Sequence, residues 1–283
     1  MSADKTPVLW HLEISNFNEK ARWALDHKRV AHHRRTVMPA AHSLVALYRT
    51  RRVATFPVLE LDGRAIGDST AIIAALEQRF PDPPLYPADP DDRRRALALE
   101  EFFDENLGHD LRRVVFFELL SHPELMRSFL AEMTTARQAR FMGAAAPAMR
   151  AILRRRYTIN ARSAAQSLLK VRAAMGLIED VLDGGDYLVD GRFTVADLAG
   201  AALLAPVIAP PEFPYRPNVP FPQRLQEIAD ELRALSAGEW VLRTYAHHRP
   251  PTAEIGAQTQ VAATGSNGAA PLPDQVGATH TAG

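Results

Sequence analysis

The sequence predicts an α/β domain with the element order βαβα-ββα, followed by a domain made only of helices. Short β-prone runs alternate with helical periodicity over residues 8–76, whereas after Pro90 apolar residues recur only at three- and four-residue spacing. Between these parts, residues 81–90 contain five prolines in ten positions. Because prolines interrupt both helices and sheets, this segment indicates a domain boundary.

Each element of the first domain has a short sequence signal. Ser15 and Asn16 are residue types preferred as helix N-caps, and Pro39 suits the first position of a helix. The Asp62-Gly63 pair, between two apolar runs, suits a hairpin turn. The predicted order is a strand over residues 8–12, a helix from Ser15 to about Lys28, a weaker strand over residues 29–37, a helix opened by Pro39, a hairpin over residues 56–66 and a helix over residues 71–76.

The second domain is predicted from helical periodicity alone. Helices are expected over residues 93–120, 124–142, 163–182, 222–235 and 239–247, with another beginning near Thr194. Beyond Pro250 the chain has almost no large apolar residues, which is typical of a disordered tail. The predicted units are therefore a first domain over residues 1–83, a helical domain over residues 84–250 and a tail over residues 251–283.

Composition narrows the function classes. Lys and Arg total 33, as do Asp and Glu, so there is no net charge for binding nucleic acid or an anionic membrane. The absence of cysteine excludes disulfides, cysteine-ligated zinc and a cysteine nucleophile. No signal-peptide pattern is present, and no run approaches the roughly 18 apolar residues of a membrane span. We therefore expect a cytoplasmic protein with no metal, nucleic-acid or membrane partner.

Four motifs stand at the starts of predicted elements. They are Ser15 after the first strand, Phe56-Pro57 before the hairpin, Asp68-Ser69 before the last helix of the first domain, and Thr194-Val195-Ala196-Asp197, which has the form of a capping box. In this order and spacing they resemble the glutathione-transferase superfamily, from about Pro7 to Arg249. The resemblance implies a thioredoxin-like N-terminal domain, a helical-bundle C-terminal domain and a homodimer.

Ser15 matches the position at which the family places its thiol-activating residue. A helix N-terminus favours an anion, and a hydroxyl there can donate to a sulfur and lower the pKa of the thiol. The resemblance therefore implies that Ser15 is catalytic, with Asn18 as the second candidate. Because serine is also an ordinary N-cap, a purely structural role for Ser15 is the alternative.

Two further motifs would bind glutathione. In the family the proline corresponding to Pro57 is cis, and the backbone of the residue before it, here Phe56, pairs with the cysteinyl part of glutathione. Asp68 and Ser69 match the pair that holds the γ-glutamyl group, since free N–H groups and a hydroxyl suit a carboxylate and an acid suits an ammonium. Asp stands here where Glu is commoner, and plain helix capping is the alternative.

The segment before Pro57 departs from the family pattern. Residues 49–55 are longer and more basic than the short turn usual there. Arg52, or its neighbour Arg51, is a candidate for the glycyl carboxylate of glutathione, although neither aligns cleanly. His42 stands where some members hold a basic ligand contact, with a solvated helix face as the alternative.

By resemblance the protein is a glutathione transferase, with detoxification as the implied role, that conjugates the glutathione thiolate to a hydrophobic small-molecule electrophile. Glutathione is its co-substrate, and no metal is involved. The electrophile would lie between the domains, and its candidate neighbours are Trp10, Phe102, Phe103, Phe116 and Phe117, which are equally good core residues. Two alternatives stay open, because fold alone does not determine function. One is a non-catalytic interaction protein, and the other is a transferase that uses a different low-molecular-weight thiol.

Overall fold

The computed structural model of the chain describes residues 5–37, 41–125, 128, 136–216 and 220–256. Its four strands are β1 (Val8–His11), β2 (His33–Thr36), β3 (Val58–Leu61) and β4 (Arg64–Gly67). They form one sheet in the order β2-β1-β3-β4, in which β1 and β2 are parallel and the other neighbours are antiparallel. The predicted thioredoxin-like arrangement is confirmed.

Three helices complete the first domain: α1 (Asn16–His27), α2 (His42–Thr50) and α3 (Ser69–Arg79). Helix α1 begins after Ser15 and ends before Lys28, as predicted. Pro39, the predicted start of α2, lies outside the described residues, and the helix itself begins at His42. In the hairpin turn Asp62 and Gly63 both have positive φ angles, of 49° and 79°, which is the geometry that an Asp-Gly pair favours.

The second domain is helical, as predicted. Its helices are α4 (Pro90–Phe103), a π-helical turn (Asp104–Gly108), α5 (His109–Ser121), α6 (Ala136–Arg156), α7 (Ala161–Leu182), α8 (Val195–Ile208), α9 (Gln223–Arg233) and α10 (Ser236–His248). The helix predicted over residues 93–120 is thus interrupted by a π-helical turn. The helix predicted over residues 124–142 lies partly outside the described residues, and α6 continues well past its predicted end. None of the helices in the described ranges is both long and apolar enough to cross a bilayer.

The capping box at the start of α8 is present as predicted. The Asp197 carboxylate accepts hydrogen bonds from the Thr194 N–H at 2.8 Å and from the Leu188 N–H at 2.8 Å, and both Thr194 and Asp197 are fully buried. These bonds satisfy backbone donors that the helix start leaves without partners. The motif therefore fixes where α8 begins inside the core.

Helix α1 is buried along almost its whole length, with α3 and α8 packed against it. Its charged residues are consequently paired inside the protein. Arg249, just after α10, donates from Nε to Glu19 at 2.8 Å and from Nη1 to Asp26 at 2.8 Å. Arg34 of β2 donates to the same Asp26 oxygen at 2.7 Å. The C-terminal end of the helical domain is thus anchored to α1.

The described chain continues past the predicted domain end at residue 250. The Ala253 N–H donates to Asp26 at 2.9 Å, and the Ile255 N–H donates to the carbonyl of His32 at 2.8 Å. Residues 251–256 therefore lie along the edge of the sheet beside β2, where the sequence predicted a disordered tail. The rest of the predicted tail, residues 257–283, lies outside the described residues.

Candidate functional site

A cavity of about 630 Å³ opens between the two domains. Its first-domain wall consists of Phe17, Thr55, Phe56, Pro57, Asp68, Ser69 and Thr70. Its second-domain wall consists of Leu97, Glu100, Glu101, Asp104, Glu105, His109, Arg112, Arg156 and Tyr157. The cavity thus brings two of the predicted motifs, Phe56-Pro57 and Asp68-Ser69, to one place.

The Phe56–Pro57 peptide bond is cis, as predicted. The pair directly precedes β3 and borders the cavity, and both residues are buried. A second cis bond, Asp82–Pro83, lies in the proline-rich linker between α3 and α4.

At the start of α3 the capping and ligand roles are divided between two side chains. Asp68, with a φ of 77°, caps the helix: its Oδ1 accepts from the N–H of Thr70 at 2.9 Å and of Ala71 at 3.1 Å. Ser69 is only 2 % exposed, and its hydroxyl forms no hydrogen bond with another described residue. A hydroxyl at a helix N-terminus that no protein group uses is suited to an anionic ligand. Asp68 is thus occupied, whereas the Ser69 hydroxyl is available.

A buried cluster of charges lies directly behind the start of α3. Nζ of Lys20, from α1, is 2.7 Å from both Asp104 carboxylate oxygens and 3.1 Å from Oε1 of Glu100. The Thr70 hydroxyl joins the cluster at 2.8 Å from Asp104 and 3.1 Å from Glu100. Lys20 and Glu100 are almost completely buried, at 0 % and 1 % side-chain exposure. One lysine faces two carboxylates, so with both ionised this cluster carries one excess negative charge.

Glu100 is the incompletely satisfied member of the cluster. Its second carboxylate oxygen, Oε2, is buried and has no hydrogen-bond partner among the described residues. Burial raises the pKa of Glu100, and the neighbouring Asp104 adds to the effect, although Lys20 acts in the opposite direction. A buried carboxylate oxygen without a donor is suited to a cationic ligand group.

Another part of the cavity wall carries arginines and aromatic rings. Arg112, on α5, lies over the ring of Tyr157 at 4.5 Å and near the ring of Phe17 at 5.9 Å, measured from Cζ to the ring centroids. Arg156, at the end of α6, approaches the same Tyr157 ring at 5.8 Å. The pKa of Arg112 is lowered, mainly by burial, and the pKa of the nearby His109 is lowered for the same reason. The cavity wall therefore carries both acidic and basic side chains.

The packing of Phe17 next to this cavity depends on Gly108, the last residue of the π-helical turn. A Cβ atom on Gly108 would lie 2.6 Å from Cζ of Phe17 and 2.9 Å from Cδ2 of Leu203. Only glycine therefore allows Phe17 to pack this closely against the second domain. Asn16 reinforces the contact, because its Nδ2 donates to the carbonyl of Gly108 at 3.2 Å.

Ser15 and Asn18 stand at the start of α1, and neither borders the cavity. The Ser15 side chain makes no capping hydrogen bond although Ser15 is the N-cap residue, so the purely structural alternative does not account for it. Asn18 is fully buried; its Oδ1 accepts from the Leu12 N–H at 3.1 Å, and its Nδ2 has no partner among the described residues. Because the Leu12 N–H needs an acceptor, the oxygen of the Asn18 side-chain amide must point toward it, which fixes the orientation of that amide. Asn18 thus holds the end of β1 to α1.

The basic candidates near α2 also lie outside the cavity wall. Arg52 is exposed and contacts Thr50 only through its backbone N–H, at 3.2 Å. His42 lies near the ring of Phe56, with 6.2 Å between ring centroids, and its Nε2 is 3.2 Å from the Ser43 hydroxyl. Both remain predictions as ligand contacts.

The aromatic residues suggested for the electrophile are placed elsewhere. Trp10 stacks under Arg49 at 4.2 Å, and Phe103 is fully buried in the core. Neither of these two, nor Phe102, Phe116 or Phe117, borders the cavity, where Phe17, Leu97 and Tyr157 supply the apolar surface instead. Lys20, Glu100, Asp104 and Arg112 had no predicted role, because their contacts join distant parts of the chain. Within the described ranges no group of three His, Cys, Asp or Glu side chains is arranged to hold a metal ion.

Comparison with known protein families identifies the first domain. The family model described as "Glutathione S-transferase, N-terminal domain" matches residues 9–84. A curated relative, a probable maleylacetoacetate isomerase from Caenorhabditis elegans, is 34% identical over 98 residues, which cover 34% of this chain and 46% of the relative. The match thus spans about half the length of that relative.

Solved structures match over nearly the whole fold. A β-etherase from Sphingobium has a TM-score of 0.55 at 21% identity, covering 85% of this chain and 100% of its own. A glutathione S-transferase from Methylobacterium radiotolerans, in complex with glutathione sulfonate, has a TM-score of 0.51 at 21% identity, covering 96% of this chain and 100% of its own. At such identities the likeness shows a shared fold of both domains.

Proposed function

Because the chain belongs to the glutathione S-transferase superfamily, we propose that it binds glutathione in the cavity between its domains and joins the thiolate to an electrophile. The observation that carries the proposal is Ser69 at the start of α3: it borders the cavity, and its hydroxyl forms no hydrogen bond with another described residue. It lies next to a cluster with an excess negative charge, so an anion site and a cation site adjoin each other.

This pair of sites suits the γ-glutamyl group, which carries both a carboxylate and an ammonium. The carboxylate would accept from the Ser69 hydroxyl and the start of α3, where the helix dipole favours an anion. The ammonium would face Glu100 and Asp104, whose two carboxylates are only partly balanced by Lys20. Asp68 is proposed to act indirectly, because its carboxylate already caps α3.

The thiol end of glutathione would reach past the cavity wall, which Ser15 does not border, to the start of α1. There the Ser15 hydroxyl, which the helix does not use as a cap, would donate to the sulfur and lower the pKa of the thiol. The thiol proton leaves to solvent. The thiolate then forms a carbon–sulfur bond, and the displaced group departs with the electron pair of the broken bond. The backbone of Phe56 is proposed to pair with the cysteinyl part, with His42 and Arg52 as candidates for the glycyl carboxylate.

Binding is tested by titrating the full-length protein with glutathione in a calorimeter. Ser69→Ala should weaken binding about ten- to hundredfold, because a hydrogen bond to a charged group contributes about 1.5–3 kcal/mol. Ser121→Ala, which removes an exposed hydroxyl on α5 outside the cavity, is the matched control and should bind like the wild type. No binding up to several millimolar would remove the proposal in favour of a different thiol or a non-catalytic binding protein.

Catalysis is tested separately, by the turnover of an aryl halide. Ser15→Ala should lower kcat about ten- to hundredfold while leaving the affinity for glutathione nearly unchanged. Its pH–rate profile should shift to higher pH, because the thiol loses the donor that stabilises its charged form. An unchanged profile would exclude Ser15 as the activating residue. The homodimer implied by the family is tested by sedimentation velocity.

A further inference from the structure

Arg112 is a partly buried cation without a carboxylate partner. Its guanidinium borders the cavity between the rings of Tyr157 and Phe17. In the described ranges no Asp or Glu forms an ion pair with it, and its contacts are the two aromatic rings. Placing a cation in such a setting costs free energy, because the rings replace only part of its hydration.

The adjacent arginine on the same helix, Arg113, is instead paired by protein groups. Arg113 donates to the carboxylate of Asp110 at 2.6 Å, to the hydroxyl of Ser167 at 2.7 Å and to the carbonyl of Tyr157 at 3.1 Å. Its guanidinium is therefore satisfied by the protein. Arg112, one residue earlier, faces the cavity, and Arg156 adds a second cation beside the same Tyr157 ring. Within the described chain, neither of these two arginines forms an ion pair with a carboxylate.

We propose that the second substrate is an electrophile that carries a carboxylate, and that Arg112 binds this carboxylate while Phe17 and Tyr157 flank the planar, unsaturated part of the molecule. This inference rests on the proposed function, because it names the class of electrophile that glutathione would meet in the cavity. It replaces a generic hydrophobic electrophile with an acidic one.

The distribution of charge favours this assignment. A guanidinium presents parallel N–H donors that match the two oxygens of a carboxylate, and stacking against rings holds it in a fixed plane. Glu100 and Asp104 would repel a second carboxylate and attract the ammonium of glutathione. Among the residues that border the cavity, Arg112 and Arg156 therefore offer the favourable contacts for a carboxylate of the electrophile.

The test compares two aryl halides of nearly equal shape, 4-chloro-3-nitrobenzoate and 4-chloro-3-nitrobenzamide. For each, kcat/KM with saturating glutathione is divided by the rate constant of the uncatalysed reaction with glutathione, which removes the difference in intrinsic reactivity. The wild type should favour the benzoate. Arg112→Gln should lower the value for the benzoate about ten- to hundredfold and change that for the benzamide less than threefold, because only the benzoate loses a charge-assisted contact.

Arg155→Gln is the matched control, because Arg155 is an exposed neighbour on α6 that does not border the cavity. It should behave like the wild type with both compounds. Equal loss with the two compounds in Arg112→Gln, or no preference of the wild type for the benzoate, would overturn the inference. A tenfold weaker binding of glutathione to Arg112→Gln would also overturn the inference, since Arg112 would then hold the glycyl carboxylate of glutathione.

A binding measurement separates this inference from the proposed function. The benzoate is titrated into the wild type and into Arg112→Gln in the absence of glutathione. Binding that Arg112→Gln weakens at least tenfold supports the acidic-ligand site even if no turnover with glutathione is found. Binding that is equal in the two proteins, or absent at millimolar concentration, overturns the site even if glutathione itself binds.

Discussion

Lys20 and Asp104 join the two domains through a buried ion pair, in which Nζ of the lysine lies 2.7 Å from both oxygens of the carboxylate. Lys20 belongs to α1 of the first domain, and Asp104 begins the π-helical turn of the second. Because Lys20 is fully buried and Asp104 only 17 % exposed, the pair is shielded from the solvent that weakens surface ion pairs. The same contact therefore forms part of both the domain interface and the cavity wall.

Removing the lysine should leave two carboxylates buried without their cation. We expect Lys20→Met to lower the free energy of unfolding by about 3–5 kcal/mol, and Lys20→Met with Asp104→Asn to recover part of that loss. Urea unfolding at neutral pH measures both values. Arg95→Met, which breaks an exposed pair with Asp92, should cost less than about 1 kcal/mol. Equal effects of the buried and exposed substitutions would contradict the role assigned to Lys20.

Gly108 should tolerate no side chain. Gly108→Ala places a methyl group 2.6 Å from Phe17, and we expect it to lower the free energy of unfolding by about 1–3 kcal/mol. Gly176→Ala in α7 is the matched control, because nothing lies within 4 Å of the added methyl group; it should raise stability by up to about 1 kcal/mol. Thermal unfolding followed by circular dichroism measures both. A neutral Gly108→Ala would show that Phe17 moves away easily.

His32 should make stability fall at mildly acidic pH. It is fully buried, its Nδ1 donates to the Val30 carbonyl at 2.7 Å, and its Nε2 must accept from Nε of Arg34 at 3.1 Å, so the ring is neutral. Burial lowers its pKa from 6.5 to about 4. As pH falls below 6.5 the unfolded chain therefore takes up a proton that the folded ring does not, and stability is lost progressively until pH reaches about 4.

The measurement compares the wild type with His32→Gln by urea unfolding at pH 7 and pH 5. Between these values the wild type should lose roughly 2 kcal/mol more than the variant, since one pKa unit corresponds to about 1.4 kcal/mol. The difference between the two proteins is needed because Asp197, whose pKa burial raises to about 6, titrates with the opposite sign in this range. Identical losses in both proteins would exclude His32 as the titrating group.

Arg249 should be essential for stability. Arg249→Met removes the cation that Glu19 and Asp26 share, while Arg22 and Arg34 still pair with them, so we expect a loss of about 1.5–3 kcal/mol in urea unfolding. The stability of Arg249→Lys should lie between those of the wild type and Arg249→Met, because an ammonium cannot reproduce the planar guanidinium that contacts both carboxylates. Arg243→Met on the exposed face of α10, where the contact with Glu239 is 4.0 Å long, should change stability by less than about 1 kcal/mol. Full stability of Arg249→Met would refute the anchoring role.

The elements could be predicted because their signals are local. The helix after Ser15, the Asp62-Gly63 turn and the capping box of Thr194 and Asp197 each depend on residues close in sequence, and each is found where it was expected. The end of the folded chain was placed too early, because residues 251–256 are held by backbone hydrogen bonds that leave no pattern in composition.

The chemistry of the cavity could be predicted only in part. Phe56-Pro57 and Asp68-Ser69 were found through a known motif, and the structure then separates the roles of Asp68 and Ser69. Lys20 and Arg112 could not have been found, because a charged residue on a helix ordinarily faces water. Lys20 is buried and Arg112 partly buried because residues far away in the chain pack over them.

The contact between Arg249 and Glu19 spans 230 residues of sequence. On a ribosome, which releases the amino-terminal part first, Glu19 and Asp26 are exposed long before Arg249 has been synthesised. Arg22 and Arg34, from the same part of the chain, already pair with these two carboxylates, whereas the contacts from Arg249 require the far end of the helical domain. The first domain thus receives one of its buried cations from the helical domain, and its complete set of ion pairs exists only when both domains are present.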